Sequence, residues 1–190
     1  MFLTLSGGCS RAIVTTAGFE LLNEFTNFLA TFKYLDYGQV FTSDSYGMAK
    51  FYKKILSIRS PDAKIYAMQP DLIQLTFSNL LIESFVEMNL NSFVTPLIGT
   101  GINNVPLECC VKDLIASIQT FVNKTHKNFN PSVKRRICVV DNNLSILKQV
   151  SDLIEKKIPI TTNSSQLQPS APLVPNASSS DENIKEKKGN

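Results

Sequence analysis

Apolar residues recur along this chain at two kinds of spacing, and the alternation between them predicts the elements. From Ser10 to Phe32 they return every three or four residues, at Ile13, Ala17, Leu21, Phe25, Phe28 and Phe32. That is the spacing of one helix face. Gly18 interrupts it at a cost of about 1 kcal/mol relative to alanine and marks a break or a close packing point. Gln39 to Ser43 reads as a short strand after the turn at Gly38, and Phe51 to Ile58 as a second, closed by Ser60-Pro61. Leu72, Thr76, Leu80 and the run Ile82 to Met88 predict a helix from Pro70 to Asn89. Ser92 to Ile98 is apolar enough for a buried strand. Pro106 to Lys124 returns to helical spacing, with Leu107, Val111, Leu114, Ile115, Ile118, Phe121 and Val122 on one stripe. Asn130-Pro131 is a loop signal, and Ile137 to Val140 a further strand. Asp141, Asn142 or Asn143 then caps a last helix carrying Leu144, Leu147, Val150 and Ile154. Strands alternating with helices predict an α/β fold whose sheet is covered on both faces.

The pattern stops near residue 159. Pro159 to Asn190 is rich in Pro, Ser, Thr, Asn and Lys. Its Lys185, Lys187 and Lys188 balance Asp181, Glu182 and Glu186. Such a segment buries too little to offset its ordering entropy and is expected to be a disordered tail. The division expected is therefore a folded domain over 1–158 and a tail over 159–190.

Charge and cysteine usage narrow the function. The formal net charge of +3 is too small to argue direct nucleic-acid binding. The one compact basic run, Lys134-Arg135-Arg136, reads as a solvated strand start. The 4 cysteines are Cys9, Cys109, Cys110 and Cys138, with no C-x-x-C pair. Neither a metal site nor a disulfide framework is expected, and reduced thiols fit a nuclear or cytoplasmic location. No apolar run reaches the roughly 18 residues of a membrane span. Met1 to Leu5 is too short for a signal-peptide core, so the three Asn-x-Ser/Thr sites, at Asn123, Asn163 and Asn176, are not expected to carry sugar.

Three stretches carry candidate chemistry. Phe93 to Ile98 runs into Gly99-Thr100-Gly101-Ile102-Asn103, and Pro106 opens the next helix. Glycines there let the chain turn sharply and let a ligand reach the backbone, whose amides favour an anion. Gly7-Gly8-Cys9 stands directly before the first helix and offers the same chemistry. Val140-Asp141 follows the last strand. All three suit a sheet whose ligands bind beyond the strands' carboxyl ends. His126, the single histidine, falls at a helix end as a surface residue. No carboxylate pair or nucleophile–base pair is visible.

The order of these segments resembles a macro domain, the ADP-ribose-binding module, in the style of those attached to poly-ADP-ribose-polymerase-like proteins. Gly7 to Ile13 with Ala17-Gly18 is similar to the family's glycine-rich loop and helix. Gly38-Gln39-Val40-Phe41-Thr42-Ser43 is similar to its Gly-x-(Ala/Val)-x-x-Thr strand, and Pro96 to Gly101 with Pro106 to its diphosphate loop. Arg136 to Asp141 resembles its last strand and adenine-side loop. The resemblance implies a three-layer α/β/α mixed sheet. It also implies a ligand site at Gly7, Gly8, Cys9, Gly99, Thr100, Gly101, Ile102, Asn103, Val140 and Asp141, with no cofactor and no metal.

The departures from the family set further expectations. Its first two strands would lie before Met1, and with them the Asp that contacts adenine and the Asn-Ala-Ala-Asn stretch. The resemblance puts the second of these strands inside the sheet, beside the strand that ends at Gly99. Met1 to Ser6 is expected to fill part of that place as a short strand, or else the chain is marginally stable. Ser57 or its neighbours stand where the family has His, Val105 where an aromatic is common, and Val140 has no aromatic beside it. A base stack is worth about 1–3 kcal/mol in single-strand complexes, so weakened binding of ADP-ribose or mono-ADP-ribosylated protein is expected, without catalysis. The alternative is a degenerate domain that acts only in protein interaction.

Overall fold

The computed structural model describes residues 8–125 and 133–157, all within the unit Met1–Pro159. Expectations for Met1 to Gly7, for His126, and for the tail after Pro159 lie outside the described residues. The long first helix is two helices, α1 (Gly8–Ala17) and α2 (Phe19–Phe32). Gly18 separates them at φ 98°, a conformation that costs a side-chain-bearing residue far more than glycine. Leu21 and Phe25 of α2 are buried, and the Phe28 and Phe41 rings meet in a tilted contact with their centroids 4.6 Å apart.

Strand β1 (Val40–Asp44) turns through a 3₁₀ segment at Tyr46–Met48 into β2 (Lys54–Ile58). The two pair antiparallel, Val40 opposite Ile58 and Asp44 opposite Lys54. The second strand therefore starts at Lys54 and not at Phe51. Phe51 is 74% exposed, and its N–H donates to Met48 C=O as part of the turn.

The corner after β2 holds a helix that hydrophobic spacing did not predict, α3 (Ala63–Met68). Asp62 caps it by accepting from the Ile65 N–H at 2.8 Å. Next comes α4 (Asp71–Ile82), whose last turn widens into a π-type turn at Glu83–Glu87. Ile73, Thr76, Phe77, Leu80 and Leu81 are its buried face, a regular i, i+3, i+4, i+7, i+8 stripe. The extra residue in the wide turn keeps Ser84 and Phe85 both buried.

Strand β3 (Ser92–Thr95) pairs parallel with β4 (Arg136–Val139), Ser92 opposite Arg136 and Thr95 opposite Val139. Between them in sequence lies α5 (Leu107–Thr125), the crossover that parallel strands require. β3 is shorter than expected and not buried on both sides: Phe93 and Thr95 face the core while Val94 is exposed. α6 (Leu144–Lys157) closes the described chain. Asn143 caps it, its Oδ1 accepting from Ser145 N–H at 2.9 Å. Leu144 is 81% exposed and lies off the apolar face, which Ile146, Val150, Leu153 and Ile154 carry.

The fold is thus mixed α/β, with one antiparallel and one parallel pair of strands rather than one continuous sheet among the described residues. Both pairs serve one core. Val40, Leu56 and Ile58 from the first and Phe93, Ile137 and Val139 from the second pack on Ile73, Phe77, Leu81, Val111 and Leu114 of α4 and α5. Among the described residues no helix is long and apolar enough to cross a membrane.

Candidate functional site

The stretch after β3 leaves the sheet at Pro96 and forms a closed loop. Gly99 sits at its entry with φ 93°. A Cβ there would stand 3.0 Å from Val105 Cγ2 and 3.1 Å from Ile73 Cδ1. Gly99 therefore serves two needs, a left-handed turn and a backbone lying flat on a floor of Val105 and Ile73. Val105 N–H donates back to Gly99 C=O at 2.9 Å, and Asn104 N–H to Gly101 C=O at 3.0 Å. Asn104 takes φ 53°, a conformation asparagine tolerates better than most residues. Thr100 Oγ1 donates to Leu97 C=O at 3.0 Å. The loop is also held from outside, by Ala63 N–H of α3 donating to Asn103 C=O at 2.8 Å.

These bonds engage the carbonyls of Gly99, Gly101 and Asn103. The N–H groups from Gly99 to Asn103 find no acceptor among the described residues. Gly101 and Ile102 are exposed, and nothing lies within 4 Å of a Cβ built on Gly101. Successive free amides followed by a helix N-terminus form a concentration of positive partial charge suited to phosphate oxygens.

The other predicted positions lie as follows. Because β3 and β4 are parallel and in register at their ends, Val140-Asp141 emerges beside the start of the loop. Val140 N–H donates to Thr95 C=O at 3.0 Å. Asp141 turns its carboxylate to the chain, its Oδ1 accepting from Asn143 N–H at 2.8 Å. Gly8 and Cys9 form the start of α1 and are exposed. Gly8 has φ 63° with open space where a Cβ would go. No hydrogen bond among the described residues links them to the Gly99 loop. Gly7 lies outside the described residues.

The macro domain family model matches residues 2–113, more than half of the chain. The chain belongs to the macro domain family. Solved macrodomains have the same fold. One from Oceanobacillus iheyensis with MES bound is 23% identical with a TM-score of 0.63, over 80% of this chain and 79% of that one. The same organism's macrodomain with ADP gives 21% and 0.64, over 80% and 78%. A Trypanosoma brucei macrodomain in complex with ADP-ribose gives 19% and 0.63, over 78% of this chain and 57% of that one. No curated protein matches the sequence.

In this macro domain sequence reasoning missed two of the loop's supports, Ile73 and Ala63. Ile73 forms its floor together with Val105, a position noted only for lacking an aromatic, and Ala63 is its outer tie. Pro61-Asp62 before an apolar residue was a readable helix start, but a helix of six residues is too short to show apolar periodicity. Ser57, which with its neighbours was expected to stand where the family has His, lies on β2 opposite Phe41. Among the described residues no cluster of His, Cys, Asp or Glu could hold a metal ion.

Proposed function

We propose that this macro domain binds ADP-ribose, free or attached to a protein as mono-ADP-ribose, and does so weakly and without hydrolysing it. The observation that carries the reading is the run of amides from Gly99 to Asn103. They have no acceptor among the described residues, stand on a loop that is exposed at Gly101 and Ile102, and are fixed by bonds at Gly99, Gly101 and Asn103. In this reading the diphosphate lies against that loop, Gly8 and Cys9 at the start of α1 close on it together with Gly7, which precedes them in sequence, and Val140 and Asp141 flank the adenosine side. Related macrodomains were solved with ADP and with ADP-ribose, which supports the choice of ligand. Weak affinity follows from Asp141, whose carboxylate already serves the turn into α6, and from Val140, which offers no ring to stack on a base. The location proposed is nucleus or cytoplasm, which the unpaired cysteines fit.

The test is calorimetry with ADP-ribose on the chain and on Gly101→Glu. Position 101 has room for a side chain, so this variant puts a carboxylate among the amides without disturbing the floor. Binding to the unmodified chain that disappears in Gly101→Glu is the expected result. No heat from the unmodified chain would favour a domain that acts only in protein interaction. For the absence of catalysis, an ADP-ribosylated protein is incubated with each form. Release by the unmodified chain above the Gly101→Glu control would overturn it.

A further inference from the structure

The loop's outer tie depends on α3, and α3 is itself tied to α5 by a side-chain hydrogen bond and by the Tyr66 ring packing on the core. Tyr66 Oη donates to Asp113 Oδ2 of α5 at 3.1 Å. Asp113 is 6% exposed, a carboxylate buried in the body of the domain. Tyr66 lies one helical turn beyond Ala63, and its own N–H donates to Asp62 C=O at 2.8 Å. The chain of contacts is therefore short and continuous. The Asp113 carboxylate holds the Tyr66 hydroxyl, Tyr66 fixes the single long turn of α3, and Ala63 at the head of that turn holds the Asn103 carbonyl. The Asn103–Asn104 peptide plane sets the Asn104 bond to Gly101 and, through it, the direction of the preceding amides.

We propose that Tyr66 and Asp113 are positioning residues for the anion-binding loop. They touch no ligand. They hold α3 against α5 so that the Gly99–Asn103 amides are already convergent before anything binds. Preorganisation of this kind acts on affinity, because a loop that must be ordered by its ligand loses part of the interaction energy to that ordering. The proposal rests, for its ligand, on the function argued above.

The experiment uses Tyr66→Phe, which removes the hydroxyl and keeps the ring, with Ser117→Ala as the comparison. Ser117 Oγ donates to Gln74 C=O at 2.9 Å and to the Asp113 backbone C=O at 2.8 Å, so its loss weakens α5 and its tie to α4 while leaving the Asp113 carboxylate and its bond to Tyr66 in place. ADP-ribose affinity should fall by a factor of about three to ten in Tyr66→Phe, the size of one net hydrogen bond, and stay unchanged in Ser117→Ala. Amide resonances of Gly99 and Gly101 should shift or broaden in Tyr66→Phe, in the absence of ligand, and hold still in Ser117→Ala. Equal behaviour of the two variants in both measurements would overturn the proposal. If the unmodified chain gives no binding, the function fails while the ligand-free resonances still decide the positioning role.

Discussion

At the scale of single residues, two glycines two positions apart illustrate how differently the same residue type can be required. Gly99 has a positive φ and no room for a Cβ, whereas Gly101 has a permitted backbone and open space. Gly99→Ala should therefore lower the unfolding midpoint, and Gly101→Ala should leave it nearly unchanged; thermal denaturation of the pair checks this. A second residue-scale prediction concerns Tyr46, whose hydroxyl donates to the Glu24 carboxylate. That bond, then burial and the nearby negative charges, pushes its pKa from 10 up to about 12. The folded state thus holds this proton more tightly than the unfolded state. The bond's contribution is complete below pH 10 and is lost as pH rises through about 12. Tyr46→Phe should lower stability at pH 8 and make the fall above pH 10 shallower, as read from urea midpoints against pH. A wild-type-like alkaline slope would show that the hydroxyl is not a source of it.

Individual elements show why boundaries were harder to read than existence. β2 was expected to begin at Phe51, but an exposed aromatic in a turn looks the same in sequence as a strand residue. α6 was placed correctly, yet Leu144 was assigned to its apolar face while it is exposed at the first turn. The choice among Asp141, Asn142 and Asn143 as its cap needed coordinates. Asn143 accepts from Ser145 and Asp141 from Asn143, so the two act in series. Asn143→Ala should cost about 0.5–2 kcal/mol, the usual range for a lost N-cap, measured by urea denaturation. β3 also allows a test at this scale. It pairs with β4 on one side only among the described residues, and Val94 is exposed. Hydrogen exchange across Val94 to Ile98 should be faster than across Phe77 to Leu81 of α4. Equal protection would mean that another strand covers the open edge, the place expected for Met1 to Ser6.

For the whole molecule, one core joins two separate strand pairs through α4 and α5. Ile73 belongs to that core and also to the floor beneath Gly99, so stability and site geometry are linked through a single side chain. Ile73→Ala should cost about 2–5 kcal/mol and weaken ADP-ribose binding beyond what Phe77→Ala does at a similar loss of stability. Equal affinities in the two variants would show that the loop keeps its shape without that floor. The proposed division at residue 158 has its own check, since deleting Ser164 to Asn190 should leave the unfolding midpoint nearly unchanged.

The sequence by itself determined most elements, the mixed α/β class and the phosphate-suited loop. Each rests on local chemistry: apolar spacing for α4 and α5, and glycines with a following proline for the Gly99 loop. The family followed from the order of those local signals. Only tertiary structure decided what holds the loop in place. Ala63 and Tyr66 belong to a helix too short for periodicity to register, Ile73 meets the loop from a distant position, and Asp113 reaches it only through Tyr66. Hydrogen bonds such as Ala63 to Asn103 and Tyr66 to Asp113 join residues about 40 or more apart. No local pattern encodes such a pairing, because each partner alone satisfies only the rules of its own element.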